Sequence, residues 1–154
     1  VRPDTSTHHA VPSIYTRGNP SRKAVALTFD AGAGLGYAAS ILDLLKANNI
    51  KGTFGMTGRW VLDNPSVAKR VVDEGHQVLN HTFDHRSFTE GNPGRRPLTR
   101  AQRWKEIDDA EATYHRVLGV GSDGWFRPPY MAWDWTCGCC WTSPAWCWRS
   151  CWRC

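Results

Sequence analysis

The hydrophobic pattern of this chain switches repeatedly between short apolar runs and a helical repeat. Ala24 to Phe29 is apolar but for Thr28, the pattern of a short strand covered on both faces, and Gly32, Gly34 and Gly36 break it at once. From about Tyr37 to Asn48, the residues Ala38, Ile41, Leu42, Leu44 and Leu45 recur at helical spacing, and Asn48-Asn49 closes that helix. A second strand is expected at Gly52 to Met56. Asn64-Pro65 predicts an N-cap followed by proline at the first helical position, opening a helix through Val67, Ala68, Val71 and Val72 that stops at Gly75. A third strand, about His76 to Asn80, ends at His81. Phe83 to Leu98, with Pro93, Pro97, Gly91 and Gly94, reads as a loop. Thr99-x-x-Gln102 is a capping box for a helix to about Leu118, with Trp104, Ile107, Tyr114, Val117 and Leu118 along its apolar side. Gly119 and Gly121 then release the chain into a fourth strand near Trp125-Phe126. Strand and helix alternate three times, which predicts an α/β fold: a parallel sheet or incomplete barrel with helical cover.

The two ends differ from this body. Residues 1–22, with Pro3, Pro12 and Asn19-Pro20, read as an irregular leader in which His8-His9 is a solvated pair. All six cysteines and six of the nine tryptophans follow Tyr130, so the body uses no disulfide. The expected organisation is therefore a leader at 1–22, one α/β domain at 23–130 and an atypical Trp/Cys-rich tail at 131–154. The tail shows neither helical nor strand period. Tryptophan, cysteine and arginine share G-rich codons, so a GC-rich gene read out of frame is the expected source of such text. The rival reading is a cysteine cluster making disulfides or holding zinc, although its spacing matches no strong ligand pattern.

Charge narrows the partners only slightly. With 19 Lys+Arg against 14 Asp+Glu the formal net charge is +5, and Arg95-Arg96 is the only basic pair of note in the loop. That is too dispersed for a nucleic-acid footprint and equally suits an anionic cell-wall polymer. No run of eighteen apolar residues is present, so no membrane span is expected. The first twenty residues carry no apolar core of signal-peptide type, so an export signal, if used, lies outside this chain.

Candidate chemistry collects at the strand ends. Asp30, His81 and Arg127 each stand at the C-terminal end of an expected strand, the catalytic face of parallel α/β architectures. His81 and His85 place two imidazoles four residues apart on a strand-end loop, a donor pair suited to zinc, nickel or cobalt. Thr82 is expected to hydrogen-bond within that loop and fix its shape, a support of the kind metal ligands use, and Asp84 to face solvent. Arg127-Pro128-Pro129-Tyr130 holds a fixed cation on stiff backbone, and Asp30 is its natural carboxylate partner. Gly32-x-Gly34-x-Gly36 lacks the spacing of a dinucleotide fingerprint.

Three of these stretches carry a resemblance. Val25-Ala26-Leu27-Thr28-Phe29-Asp30-Ala31-Gly32, the segment Gly75 to His85 with its His81-Thr82-Phe83-Asp84-His85, and Phe126-Arg127-Pro128-Pro129-Tyr130 resemble, in order and separation, the three early motifs of the polysaccharide deacetylase family, the domain shared with rhizobial chitooligosaccharide deacetylases. Lys51 to Gly58 is similar to the family's second strand. The resemblance covers about residues 23–130. It implies the N-terminal portion of an irregular (β/α) barrel and removal of N- or O-linked acetyl groups from polymers such as peptidoglycan or chitin. It implies Asp30 as general base, His81 and His85 as metal ligands, Arg127 as the residue that orients the base, and the Tyr130 backbone N–H as an oxyanion donor. A divalent ion, zinc before cobalt or nickel, is the implied cofactor. An acetylated polysaccharide is the implied partner of a monomer, and the cell envelope or extracellular space the implied location.

The chain departs from the family pattern twice. Ala31 stands where the second aspartate, the third protein ligand, is usual, and a methyl group cannot coordinate. Nothing after Tyr130 resembles the family's late Asp-bearing and Leu-x-His motifs, and residues 131–154 contain no histidine. The expectation is therefore deacetylase ancestry with little or no activity. Two competitors are a carbohydrate-binding pseudoenzyme, its groove floored by Trp60 and Trp125, and a metal-dependent amidase acting on a non-carbohydrate amide.

Overall fold

A computed structural model of the chain describes residues 14–15, 18–89 and 96–131, with the backbone of 142–143, 146–147 and 149–151. The elements in order are β1 (Ile14–Tyr15), β2 (Thr28–Ala31), α1 (Ala38–Ala47), β3 (Thr53–Met56), α2 (Gly58–Asp63), α3 (Pro65–Asp73), β4 (Gln77–Asn80), α4 (Arg100–Leu118), β5 (Trp125–Phe126), a 3-10 turn (Pro129–Met131), and β6 (Thr142–Ser143), β7 (Trp146–Cys147) and β8 (Arg149–Cys151). The sheet runs β1-β8-β5-β4-β3-β2, every neighbouring pair parallel, while β6 and β7 form a separate antiparallel pair. This is the α/β, parallel-sheet class that the alternating pattern predicts.

Alternation along the strands sorts the two faces. Phe54 and Met56 of β3 and Val78 of β4 join Leu42, Leu45, Trp60, Val61, Ala68, Val71, Ala110, Tyr114 and Leu118 in one core beneath the helices. Phe29 and Ala31 of β2 lean on that same cluster. Asp30, between them, stands on the opposite face of the strand, as a period of two requires. A smaller cluster of Phe88, Leu98, Ile107 and Phe126 closes the far side of α4. The capping box of α4 forms as expected: Thr99 Oγ1 accepts the Gln102 N–H, and Gln102 Oε1 accepts the Thr99 N–H at 2.9 Å.

Four expectations need correcting. The first strand begins at Thr28, not Ala24, and it is the edge of the sheet rather than a doubly covered strand; Val25 is 83% exposed. A continuous apolar run reports burial of its own residues only where neighbouring strands exist, and among the described residues β2 has one. Helix α2 follows β3 without a loop, capped by the Thr57 side chain, which accepts the Trp60 N–H at 3.1 Å. Its first residue must be glycine, because a Cβ on Gly58 would meet the Phe83 ring at 2.4 Å. Asn64 precedes α3 with Pro65 at the first position, yet its side chain does not cap that helix and instead donates to Trp60 O. Trp60 itself is 2% exposed with Nε1 donating to Gly34 O, so it builds the core and cannot floor a groove, and Trp125 is half-buried against Tyr15.

The ends also enter the sheet. Ile14–Tyr15, within the expected leader, pairs with β8, and β8, within the atypical Trp/Cys-rich tail, lies between β1 and β5. His8-His9 and Cys137, Cys139, Cys140 and Cys154 lie outside the described residues, as do the side chains of Cys147 and Cys151. No helix among the described residues is long and apolar enough to cross a membrane.

Candidate active site

The C-terminal ends of β2, β4 and β5 bring four of the candidate side chains together. Arg127 leaves β5 with its backbone N–H bonded to Asn80 O, which carries its guanidinium back across the sheet. Its Nη1 donates to Asp30 Oδ1 at 2.6 Å. The pair makes one such bond rather than a two-pronged one. Arg127 is 9% exposed while the Asp30 side chain is 42% exposed, so the cation is anchored and the carboxylate reaches the mouth. Asp30 Oδ2 lies 3.9 Å from His81 Nε2.

The two imidazoles converge. His81 Nδ1 is 2.8 Å from Arg127 O, and because a carbonyl can only accept, Nδ1 carries the proton and Nε2 presents a lone pair. His85 Nε2 lies 3.1 Å from that lone pair and donates to it. Burial lowers the pKa of both rings, more than the nearby Asp30 charge raises it, so both are neutral at pH 7. The ring of His85 stands edge-on to both His81 and Tyr130 at centroid distances of 4.8 Å. Tyr130 is 62% exposed and forms the outer lip.

The loop between the histidines is held in an unusual shape. Thr82 and His85 have φ of 70° and 57°, and Tyr130 and Met131 have 57° and 53°. For a β-branched residue such as Thr82 this left-handed conformation is costly, and outliers of this kind gather at functional sites. Two hydrogen bonds hold it: Thr82 N–H donates to Asn80 Oδ1 at 2.9 Å, and Thr82 Oγ1 accepts the His85 N–H at 3.1 Å. Thr82 thus fixes the loop as the sequence suggests. Asp84 is exposed and ion-paired with Arg59 at 2.6 Å.

Sequence reasoning missed what lies beneath. Asn80 is fully buried and donates to Ile107 O and Glu111 Oε2. Glu111 also accepts from Ser122 N and Oγ at 2.8 and 2.9 Å. The Tyr114 hydroxyl donates to Met56 O and accepts the His81 N–H. Only two signals pointed there: an amide directly before His81, and Glu111 and Tyr114 three residues apart on the inward side of α4.

Gly55, opposite Asp30 on β3, is a second enforced glycine. A Cβ there would sit 2.6 Å from Asp30 Oδ1 and 3.1 Å from Leu79 Cδ2. Gly55→Ala is therefore expected to push the carboxylate off Arg127 and cost about 1–3 kcal/mol, the usual penalty for overpacking, in a urea titration. A stability equal to that of the parent would show that Asp30 yields freely.

Whether these residues suit a metal ion is decided by their donors. Two nitrogens bound to zinc at 2.0–2.1 Å in a tetrahedron stand about 3.4 Å apart, close to the spacing here, and the His81 Nδ1–H···O=C bond is the support a ligand imidazole normally has. Two donors fit. The third does not: catalytic zinc takes three protein ligands, position 31 is alanine, and among the described residues no group of three His, Cys, Asp or Glu side chains is placed to hold an ion.

A parallel α/β domain with an arginine-held carboxylate and an imidazole pair at its strand ends defines the class as that of a hydrolase-type domain. The family follows from comparison: residues 17–137 match the polysaccharide deacetylase model, and the chain belongs to that family, hydrolases of carbon–nitrogen bonds. The match begins ahead of the 23–130 stretch expected from the motifs and runs past it. The chain is 37% identical over 112 residues to the peptidoglycan-N-acetylmuramic acid deacetylase PdaA of Bacillus subtilis, covering 73% of this chain and 40% of that protein. The solved structure of PdaA, a family 4 carbohydrate esterase, superposes with a TM-score of 0.77 at 30% identity, over 92% of this chain and 56% of that one. The pseudoenzyme BA3943 of Bacillus anthracis, from the same esterase family, gives a TM-score of 0.77 at 25% identity, over 92% and 47%. The chain thus spans about two-fifths of the length of the curated relative.

Proposed function

We propose that this chain is a glycan-binding member of the polysaccharide deacetylase family whose own hydrolysis is weak or absent. Its ligand is an N-acetylated polysaccharide of the peptidoglycan or chitin type, held at the mouth formed by Asp30, His85 and Tyr130. The observation that carries this reading is Ala31: two imidazoles converge beside a position whose side chain cannot complete an ion's coordination. Asp30, fixed by Arg127, retains the geometry to accept a proton from an attacking water, and the Tyr130 backbone N–H the place to meet a developing oxyanion. Likeness to a pseudoenzyme of the same fold supports the reading. A cell-envelope or extracellular setting is consistent with the peptidoglycan deacetylases among its relatives.

One observation favours a second reading, that of a metal-dependent deacetylase with Asp30 as base: the Arg127–Asp30 bond is intact at 2.6 Å. Calorimetry with N-acetylated chitooligosaccharide and glycan strands of peptidoglycan, alongside an acetate assay with added zinc, separates the two. Glycan binding without acetate release above background is expected. Acetate release that saturates with zinc and disappears in Asp30→Asn would establish the deacetylase instead.

A further inference from the structure

Beside the imidazole pair lies a cavity of about 160 Å³ whose lining includes His85 and Tyr130. Its lining also includes Arg86, Arg96 and the buried Leu98. The charges around it do not cancel. Asp84, the one carboxylate in the lining, is already paired with Arg59 at 2.6 Å. Glu106, packed behind the loop, is buried and accepts the Asp84 N–H at 2.8 Å; the Arg86 charge acts on it through space, without an ion-pair contact. Arg86 and Arg96 are both exposed, and neither has an ion-pair partner among the described residues.

We propose that Arg86 and Arg96 form a carboxylate subsite, so that the preferred glycan is one whose N-acetylated sugar carries or adjoins a carboxylate. The proposal rests on the glycan-binding reading above and adds the substrate class. A guanidinium fork matches a planar carboxylate and gives charge-assisted bonds that a neutral hydroxymethyl cannot replace. The space is on the order of five water volumes, enough for a three-carbon acid substituent. Because His85 and Tyr130 line both the cavity and the mouth, the carboxylate sits within one residue's reach of the acetamido group that the mouth would receive. Two sources supply this chemistry: an ether-linked lactyl group on the acetylated sugar itself, or a neighbouring uronic acid.

The test is calorimetric, on the full chain, with four probes. They are chitotetraose, a peptide-free glycan strand containing N-acetylmuramate, the same strand with its carboxylates amidated, and an alternating N-acetylglucosamine–glucuronate tetrasaccharide. At least one carboxylate-bearing probe is expected to bind about tenfold more tightly than chitotetraose at low salt, with the preference shrinking as salt is raised. Which probe it is identifies the source: the muramate strand losing its advantage on amidation means the lactyl group, and the glucuronate probe alone means the uronic acid. In Arg86→Gln/Arg96→Gln the acidic-to-neutral preference is expected to fall to about one, whereas Arg116→Gln, at the far end of α4, leaves it in place. Equal affinity for acidic and neutral probes, or a preference that survives the double substitution, overturns the subsite while leaving glycan binding standing. Binding to none of the four overturns both.

Discussion

Ala31→Asp is expected to raise the affinity for zinc by about 100-fold or more, because groups that merely support a metal ligand already change affinity by roughly 10–100-fold. The donors at hand are His81 Nε2 and His85 Nε2, 3.1 Å apart. Position 31 is the last residue of β2, and the next residue, Gly32, stands against the His85 ring: a Cβ on it would meet Cδ2 at 3.3 Å. An aspartate at 31 is therefore one residue from the imidazole pair. In this chain the Ala31 methyl leans on the helical core with Phe29, so the new carboxylate must turn from that face towards the mouth. Without an ion it is half-buried and poorly paired, and the variant is expected to lose about 1–3 kcal/mol against the parent. Zinc then restores the loss by mass action, as any ligand of the native state does. A chelator-competition titration and thermal melts with and without zinc check both halves. Equal zinc affinity in the two proteins would show that position 31 stays on the helical face and that the mouth lacks more than one ligand.

How much of this was legible beforehand depended on distance along the chain. Asp30, His81 and Arg127 could be placed because each stands at the end of its own short apolar segment, and a strand end is a local event; His85 follows from its four-residue spacing to His81. The Thr99–Gln102 capping box and the apolar side of α4 are local in the same sense. What escaped was relational. Ala24 to Phe29 looks like a central strand, yet among the described residues only β3 pairs with β2, and no local pattern counts neighbours. Residue type alone suggests Trp60 for a sugar groove; helix α2, hidden by the Thr57-Gly58 step out of β3, turns it into the core. The pairing of β1 with β8 joins residues at opposite ends of the chain. The short β8 has no alternation long enough to betray it. The cavity cations were equally hidden, since Arg86 and Arg96 stand ten positions apart and share a lining only in the folded chain.

The buried network under the histidine loop bears the second large effect: Glu111→Ala is expected to cost about 3 kcal/mol or more. The two carboxylate oxygens of Glu111 accept from Asn80 Nδ2, Ser122 N and Ser122 Oγ, and both Asn80 and Ser122 are fully buried. Alanine leaves those donors short of acceptors, at roughly 1–3 kcal/mol for each one left unsatisfied, partly relieved for Asn80, which keeps Ile107 O. For a chain of this size the loss corresponds to a fall in melting temperature of roughly 2–4 °C per kcal/mol. The damage reaches the mouth through Asn80, whose Oδ1 holds the Thr82 N–H and with it a β-branched residue at positive φ. Freed of that bond, Thr82 has every reason to relax to ordinary backbone, and the His85 N–H loses Thr82 Oγ1 as its acceptor. Glu111→Gln, which retains one acceptor oxygen, is expected to fall between the parent and the alanine variant. Hydrogen exchange separates the local from the global consequence: the Thr82 and His85 amides should lose protection well before those of Phe54 and Met56 in β3. Uniform loss of protection, with no excess at Thr82 and His85, would mean that Glu111 stabilises the fold without shaping the loop that carries the imidazoles.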